Sequence, residues 1–408
     1  MNFSTKTLKE ALRIVHLWTG LVFGVILVVL GLTGTALAWY DELDAMLNPA
    51  LLQAAPAPGI QAGAPLRLGA GEAQRVFDRL ALDRAYGRPT QLSLPAHAGD
   101  VVVAWYRPAT ASASPWRGKI ARQVMVDPVT LRVTGERDYG QFGLSRPLLM
   151  PTLFHLHRYL LAGDVGKITV AVTGVSALIT CLTGLVLWWP RMTARAVWHA
   201  VSVRFGGNWP RFNFQLHRAA GFFALPVLLT LAFSGIYFNM PDWVTPGVAA
   251  VSDWKARAPA KNASPAGATR ITLAEAMASA QARFPQARLS RVSVPARPQQ
   301  PWEVRLRQDG EARLGPGATR VSVDSGSGAV VRVVDPLTAT GGEAFLGWMF
   351  PLHTGEAFGT AGRAFISVFG LAPLMFFVTG LVVWRKLRRQ PGKLKAAAPR
   401  RVGAPEPA

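Results

Sequence analysis

The sequence predicts an α-helical membrane protein: a four-helix transmembrane bundle with two inserted α+β domains outside the membrane, built as an internal two-fold repeat. Three observations carry this. Half of the 408 residues are apolar and only 16% are charged, with a positive mean hydropathy of +0.22, and such a composition points away from ordinary soluble domains. Four apolar stretches reach the roughly 20 helical residues needed to cross a hydrocarbon core of about 30 Å. The segment from Leu156 to Trp188 also recurs from Leu352 to Trp384 at a constant offset of 196 residues, which marks an internal repeat.

At that offset His157 matches His353, Gly166-Lys167 matches Gly362-Arg363, Gly174 matches Gly370, and Thr183-Gly184 matches Thr379-Gly380. The two remaining spans match each other at an offset of 201, with His16 on His217, Gly20 on Gly221, and Thr33-Gly34 on Ser234-Gly235.

Residues 1–40 hold the N-terminus and the first span, from about Ile14 to Trp39. Ala36-Leu37-Ala38 resembles a signal-peptidase site, but the apolar run exceeds the roughly 7–15 residues of a cleavable signal, so the span is expected to be retained. Residues 41–150 read as the first α+β domain. Its helix is Leu66–Leu82 and its strands are Gln91–Leu94, Val101–Tyr106, Ala121–Val126 and, after the turn at Asp127-Pro128, Leu131–Thr134. Residues 151–190 hold an interfacial segment and the second span (Ile168 to Trp189), with a helix break expected at Gly163-Asp164.

Residues 191–213 form a basic loop and 214–240 the third span. Residues 241–350 read as the second α+β domain, with a helix at Leu273–Phe284 and strands at Ser290–Val294, Trp302–Arg307, Arg320–Val323 and Val330–Val334. Its Val-Asp turn at Asp324 repeats the one at Asp127. Residues 351–385 hold a second interfacial segment and the fourth span (Ala364 to Trp384), and 386–408 a basic tail expected to be disordered. Pro226 and Pro373 are expected to kink their helices. Trp39, Trp188, Trp189 and Trp384 mark span ends, where indole rings anchor.

The formal charge of +21 raises nucleic acid as a partner, but its placement excludes that reading. Lys6, Lys9 and Arg13, then Arg191, Arg195, Arg204 and Arg211, then the basic run after Trp384 all fall on one side of a four-span chain. The positive-inside bias makes that side cytoplasmic, with both termini there and the two domains in the periplasm of a bacterial inner membrane. Arg146, Arg158, Lys167 and Arg363 run against the trend and are outnumbered. Cys181 is the single cysteine, which excludes an intrachain disulfide and a covalent Cys-x-x-Cys-His haem attachment.

Four of the seven histidines form repeat-related pairs. His16 and His217 lie at the cytoplasmic ends of spans one and three, and His157 and His353 just before spans two and four, toward the periplasm. Ionisable groups in an apolar bundle point to function, and a neutral imidazole is a common axial ligand of haem iron. Each pair is therefore a candidate ligand set for one haem b, two per chain, with Gly20 and Gly221 leaving room for a flat macrocycle. Two such haems would form a path for electrons between the two sides. His155 is an alternative ligand, while His97 and His199 lack repeat partners and read as surface residues. Arg146, Trp116 and Trp348 are candidate residues of an outer cleft.

The paired Leu-His motifs at Leu156-His157 and Leu352-His353, the Thr-Gly-Leu-Val-x-Trp motifs at Thr183–Trp188 and Thr379–Trp384, and the Val-Asp turns at Asp127 and Asp324 resemble the PepSY-associated transmembrane family. Its members include FoxB-type inner-membrane siderophore-iron reductases that carry haem b. The resemblance implies PepSY-like periplasmic domains and a reductase whose acceptor is a ferric siderophore. No Gly-x-Gly-x-x-Gly motif is present, so the donor is expected to be a cytoplasmic reductase or a quinol. Two other classes stay open: a siderophore uptake component without redox chemistry, and a PepSY-based binding or regulatory protein of the envelope. Against the first, no charged residue sits near the middle of any span.

Overall fold

The computed structural model describes residues 5–108, 120–205, 208–265 and 270–388. Trp116 and the tail beyond 388 lie outside the described residues. The elements run α1 (Thr5–Val22), α2 (Gly24–Leu37), α3 (Tyr40–Leu47), α4 (Pro49–Leu52) and α5 (Ala70–Ala81), then β1 (Gln91–Ser93), β2 (Val102–Tyr106), β3 (Ala121–Val126) and β4 (Val133–Tyr139). They continue with α6 (Arg146–Tyr159), α7 (Gly163–Trp188), α8 (Ala194–Val201), α9 (Trp209–Asn239), α10 (Pro241–Val251) and α11 (Leu273–Arg283). Strands β5 (Arg288–Ser293), β6 (Trp302–Arg307), β7 (Thr319–Val323) and β8 (Val330–Val334) precede α12 (Gly341–Thr354), α13 (Gly359–Gly370) and α14 (Ala372–Arg388).

Three helical stretches are long and apolar enough to cross a membrane: Gly163–Trp188, Trp209–Asn239 and Glu356–Arg385. The first expected span is not straight. Helices α1 and α2 meet at 56° and count as a fourth span only when taken together. The bend falls in a stretch bracketed by Gly20 and Gly24, where helix propensity is low. Pro226 leaves α9 unbroken, while Pro373 follows a break at Leu371 and occupies the first turn of α14, where a missing N–H costs nothing.

The chain clusters into two compact units, Met1–Val28 with Ser176–Leu229 and Leu371–Ala408, and Val29–Val175 with Thr230–Gly370. In the first unit, Asn213 donates to the Thr379 carbonyl at 2.9 Å, the Thr19 and Thr180 hydroxyls meet at 2.8 Å, and Trp188 stacks on Phe222 at 4.2 Å. Gly24 is small because a Cβ there would lie 2.5 Å from the Phe377 ring.

In the second unit the two expected α+β regions share one eight-stranded antiparallel sheet of order β4-β3-β2-β1-β5-β6-β7-β8. The seam is β1 on β5, with Leu92 opposite Val292. Helices α5 and α11 cover one face, and Val76, Leu80, Leu92, Val102, Met277, Trp302, Val304 and Val321 form a single core with residues from both regions. Trp302 is the largest fully buried side chain; truncating such a residue to Ala costs about 3–5 kcal/mol. Thr272 and Glu275 close a reciprocal capping box at the start of α11.

Most strands fall within a residue or two of expectation. The main exception is β4, which runs on to Tyr139 beyond the expected Thr134; it starts only at Val133 because Asp127 draws the Val129 and Thr130 amides into its turn and Leu131 takes a left-handed φ of 60°. A buried ion pair ties the sheet to α3: Arg137 donates to both Asp44 oxygens at 2.9 and 2.7 Å, with Gln123 and the Pro147 carbonyl completing its bonds.

The two segments expected at the interface are full helices, α6 and α12, carrying the offset-matched His157 and His353 near their C-terminal ends. The α6–α7 break runs over Leu160, Leu161 and Ala162 and ends at the expected Gly163-Asp164, where α7 starts; Leu160, Leu161 and Gly163 all have positive φ. The repeat-matched Gly166 and Gly362 pack into the turns that follow α6 and α12. A Cβ at Gly166 would run into the Tyr159 carbonyl, and one at Gly362 into the Gly355 carbonyl.

Candidate functional site

In the first unit, α1 presents His16 and α9 presents His217, with ring centres 6.3 Å apart and planes at 79°. His16 Nδ1 donates to the Thr180 carbonyl at 3.0 Å and lies 3.2 Å from the Thr183 hydroxyl. His217 Nδ1 lies 2.7 Å from the Thr379 hydroxyl. Both threonine hydroxyls spend their single proton on the carbonyl one turn back, Thr183 on Ile179 and Thr379 on Met375, each at 2.7 Å. They are thus left to accept, so the imidazole must donate. The proton is fixed on Nδ1, and Nε2 keeps a free lone pair.

The second unit repeats the arrangement. His157 on α6 and His353 on α12 have ring centres 6.2 Å apart and planes at 74°. His157 Nδ1 donates to the Leu30 carbonyl at 3.0 Å and to the Thr33 hydroxyl at 3.0 Å, and His353 Nδ1 donates to the Ser234 hydroxyl at 2.7 Å. Here too the hydroxyls are committed as donors one turn back, Thr33 to Val29 at 2.7 Å and Ser234 to Thr230 at 2.6 Å. Phe238 packs edge-on against His353 at 5.3 Å.

The residue after each hydroxyl is glycine, and at Gly184 and Gly34 the reason is steric. A Cβ at Gly184 would sit 3.0 Å from the His16 Cε1, and one at Gly34 would sit 3.1 Å from the His157 Cε1. At Gly380 and Gly235 the corresponding distances to His217 and His353 are 3.9 and 4.0 Å. A hydroxyl residue followed by glycine is therefore a seat for an imidazole ring, and it occurs four times. In the sequence, Thr33-Gly34 and Ser234-Gly235 stand as markers of the repeat, and Thr183-Gly184 and Thr379-Gly380 as markers of the repeat and of the family motif, none of them as partners of a histidine. Their recurrence opposite four histidines was the signal that could have revealed the seats.

Two imidazoles gripping one metal from opposite sides stand with ring centres roughly 6 Å apart, given about 2 Å per metal–nitrogen bond and about 1 Å from nitrogen to ring centre. Both observed separations match that span. Among the described residues no group of three or more His, Cys, Asp or Glu could hold a metal ion. Each pair therefore offers two nitrogen ligands, with no third His, Cys, Asp or Glu completing a metal-holding group among the described residues.

The other sequence candidates fall elsewhere. A Cβ at Gly20 would meet nothing within 4 Å, and one at Gly221 would meet only Phe376 at 3.9 Å; both leave space and neither touches a histidine. His155 is buried against Tyr139, Phe154 and Tyr159, with Nδ1 on the Pro151 carbonyl. It is an aromatic-cluster residue. His97 pairs with Asp100 and His199 with Arg204. Arg146 and Trp348 are exposed.

Comparison with curated proteins finds no match to the chain. A family model matches residues 13–386, which takes in all four histidines, their seats and the whole sheet, and by it the chain belongs to the PepSY-associated TM region family.

Proposed function

We propose that this chain is an electron-transfer protein of the bacterial inner membrane that holds two b-type haems and reduces ferric siderophores on the periplasmic side, releasing iron as Fe(II). The observation that carries this reading is the duplicated pair of imidazoles at 6.3 and 6.2 Å, each with its Nδ1 proton tied down.

The residues fit haem better than a bare ion. Two side-chain ligands are too few for a free metal site, whereas a porphyrin brings its own four nitrogens and asks the protein only for axial ones. One cysteine leaves no covalent attachment, hence the b type. His16 and His217 would hold one haem, and His157 and His353 the other. When bound, each haem would supply a one-electron carrier.

The chain's own contribution is orientation and exclusion. The seats formed by Thr183, Thr379, Thr33 and Ser234 hold each ring in the ligating tautomer, a role outer partners of metal-bound histidines commonly play. The basic segments argue for cytoplasmic termini and a periplasmic sheet, so a cytoplasmic reductase or a quinol would serve as donor. Hard oxygen donors hold Fe(III) far better than Fe(II), so one-electron reduction loosens a siderophore's grip.

A reduced-minus-oxidised visible spectrum of the purified chain, with haem quantitation, tests the reading. Two haems per chain are expected, together with haem-dependent Fe(II) release from a ferric chelate under reducing conditions. Protein without haem absorbance would leave a non-redox carrier or an envelope-binding protein.

A further inference from the structure

Three arginines stand abreast across the sheet. Arg291 on β5 is the register partner of Arg305 on β6, and Arg305 of Arg320 on β7. Their strand neighbours Val292, Val304, Leu306 and Val321 enter the core under α5 and α11, so the alternation of side chains puts the arginines on the opposite face. Like charges placed directly across a sheet destabilise it. A fourth arginine, Arg313 from the β6–β7 loop, stacks over the Phe350 ring at 3.9 Å.

These charges are close and poorly offset. Burial first, and then the charges of Arg291, Arg313 and Arg320, pull Arg305 down to about 10. The Nε atoms of Arg291, Arg305 and Arg313 are buried without a hydrogen-bond partner, and among the described residues none of the four arginines forms an ion pair. Glu303 is the carboxylate that offsets both Arg291 and Arg305, with Asp41 acting on Arg291. Glu356 and Glu311 act on Arg313, but Glu356 already accepts from the Leu314 amide and Glu311 from Thr319.

The cluster also borders the outer histidine pair. Phe350 packs on Phe238 at 6.0 Å, and Phe238 packs on His353 at 5.3 Å. Half-buried guanidinium groups are costly unless something negative meets them, and their forked donors suit carboxylate and phosphate oxygens.

We propose that the face carrying Arg291, Arg305, Arg313 and Arg320 is an oxyanion-receiving site whose ligand is an anionic ferric chelate bearing carboxylates. The identity of the ligand rests on the reductase reading; the site itself does not. A phosphate-bearing lipid headgroup shares the oxyanion chemistry and is the rival source.

The test uses the full chain in detergent, with Arg305→Met and Arg291→Met beside the unaltered protein. The probes are ferric citrate, a neutral ferric tris-hydroxamate and phosphatidylglycerol. Each variant is expected to bind ferric citrate at least tenfold more weakly, to bind the neutral complex unchanged, to keep its haem content, and to melt at a higher temperature because a repulsion has gone. Equal ferric citrate affinity overturns the proposal. So does loss of haem in the variants, which would assign the arginines to the carboxylates of the macrocycle. Arginine-dependent binding of phosphatidylglycerol with ferric citrate unaffected overturns it as well. Arginine-dependent ferric citrate binding in a protein without haem absorbance upholds the site and sinks the redox reading.

Discussion

His157 and His353 face each other with ring centres 6.2 Å apart, although 196 residues of chain separate them, and each is held by a hydroxyl from yet another helix. Replacing either by Ala is expected to lower haem content from two per chain to one, as is replacing His16 or His217. Haem quantitation against protein concentration checks this, and two haems retained in His353→Ala would refute the ligand assignment.

The seats make a finer prediction. His353 Nδ1 donates to Ser234, whereas His157 Nδ1 has both Thr33 and the Leu30 carbonyl. Ser234→Ala should therefore weaken haem retention more than Thr33→Val does, with loss of an outer partner typically costing about 10–100-fold in affinity. Haem-transfer kinetics to an apo acceptor would measure the difference; equal effects would show that the hydroxyls do not orient the rings.

Ring room can be probed separately from hydrogen bonding. Gly184→Val places methyl groups where a Cβ alone lies 3.0 Å from His16, and should reduce haem content at that pair while leaving the signal of the other intact. Low-temperature spectra that resolve the two haems would report which one is lost.

Stability of the sheet should depend on the Asp44–Arg137 pair, whose side chains are only 4% and 5% exposed. Arg137→Met strands a buried carboxylate, and removing one partner of such a pair typically costs about 3–5 kcal/mol. Thermal unfolding in detergent is expected to show a clear drop, with Arg137→Met and Asp44→Asn together less damaging than the sum of the two.

Asp324 supplies a pH dependence. Burial alone would raise its carboxyl, but hydrogen bonds from Ser264, Ser327 and Gly326 outweigh it and hold the group below its ordinary value. A depressed folded value means that its stabilising contribution is fully present above about pH 4, the unfolded value, and is lost as pH falls through the folded value. Asp324→Asn should thus lower the melting temperature at pH 7, and the gap to the unaltered protein should narrow in acid.

Much of this was legible beforehand. The apolar runs located the spans, and alternation placed β3, β6 and β8 to the residue. The shared offsets of 196 and 201 matched His157 with His353 and His16 with His217, and the structure sets the rings of each matched pair 6.2 and 6.3 Å apart. What escaped depends on register and on bonds between distant segments. Arg291, Arg305 and Arg320 are ordinary surface-type residues in three strands until pairing sets them abreast. The β1–β5 seam has no local signature. Gly163-Asp164 announced the break before α7, but Leu160 and Leu161 adopt left-handed backbone against their own preference, so the last residue of α6 was not legible. Pro151 and Pro351 lie inside α6 and α12, and helix-breaking residues in so short a stretch hid two helices.

The seam has a consequence for how the chain can be divided. Strands β1 and β5 hydrogen-bond to each other, so a half-length polypeptide ending between α7 and α9 would carry four strands with one inner strand stripped of its neighbour. Such a raw edge invites any complementary strand nearby. Co-expressed halves should find one another through that edge and copurify, whereas either half made alone should aggregate.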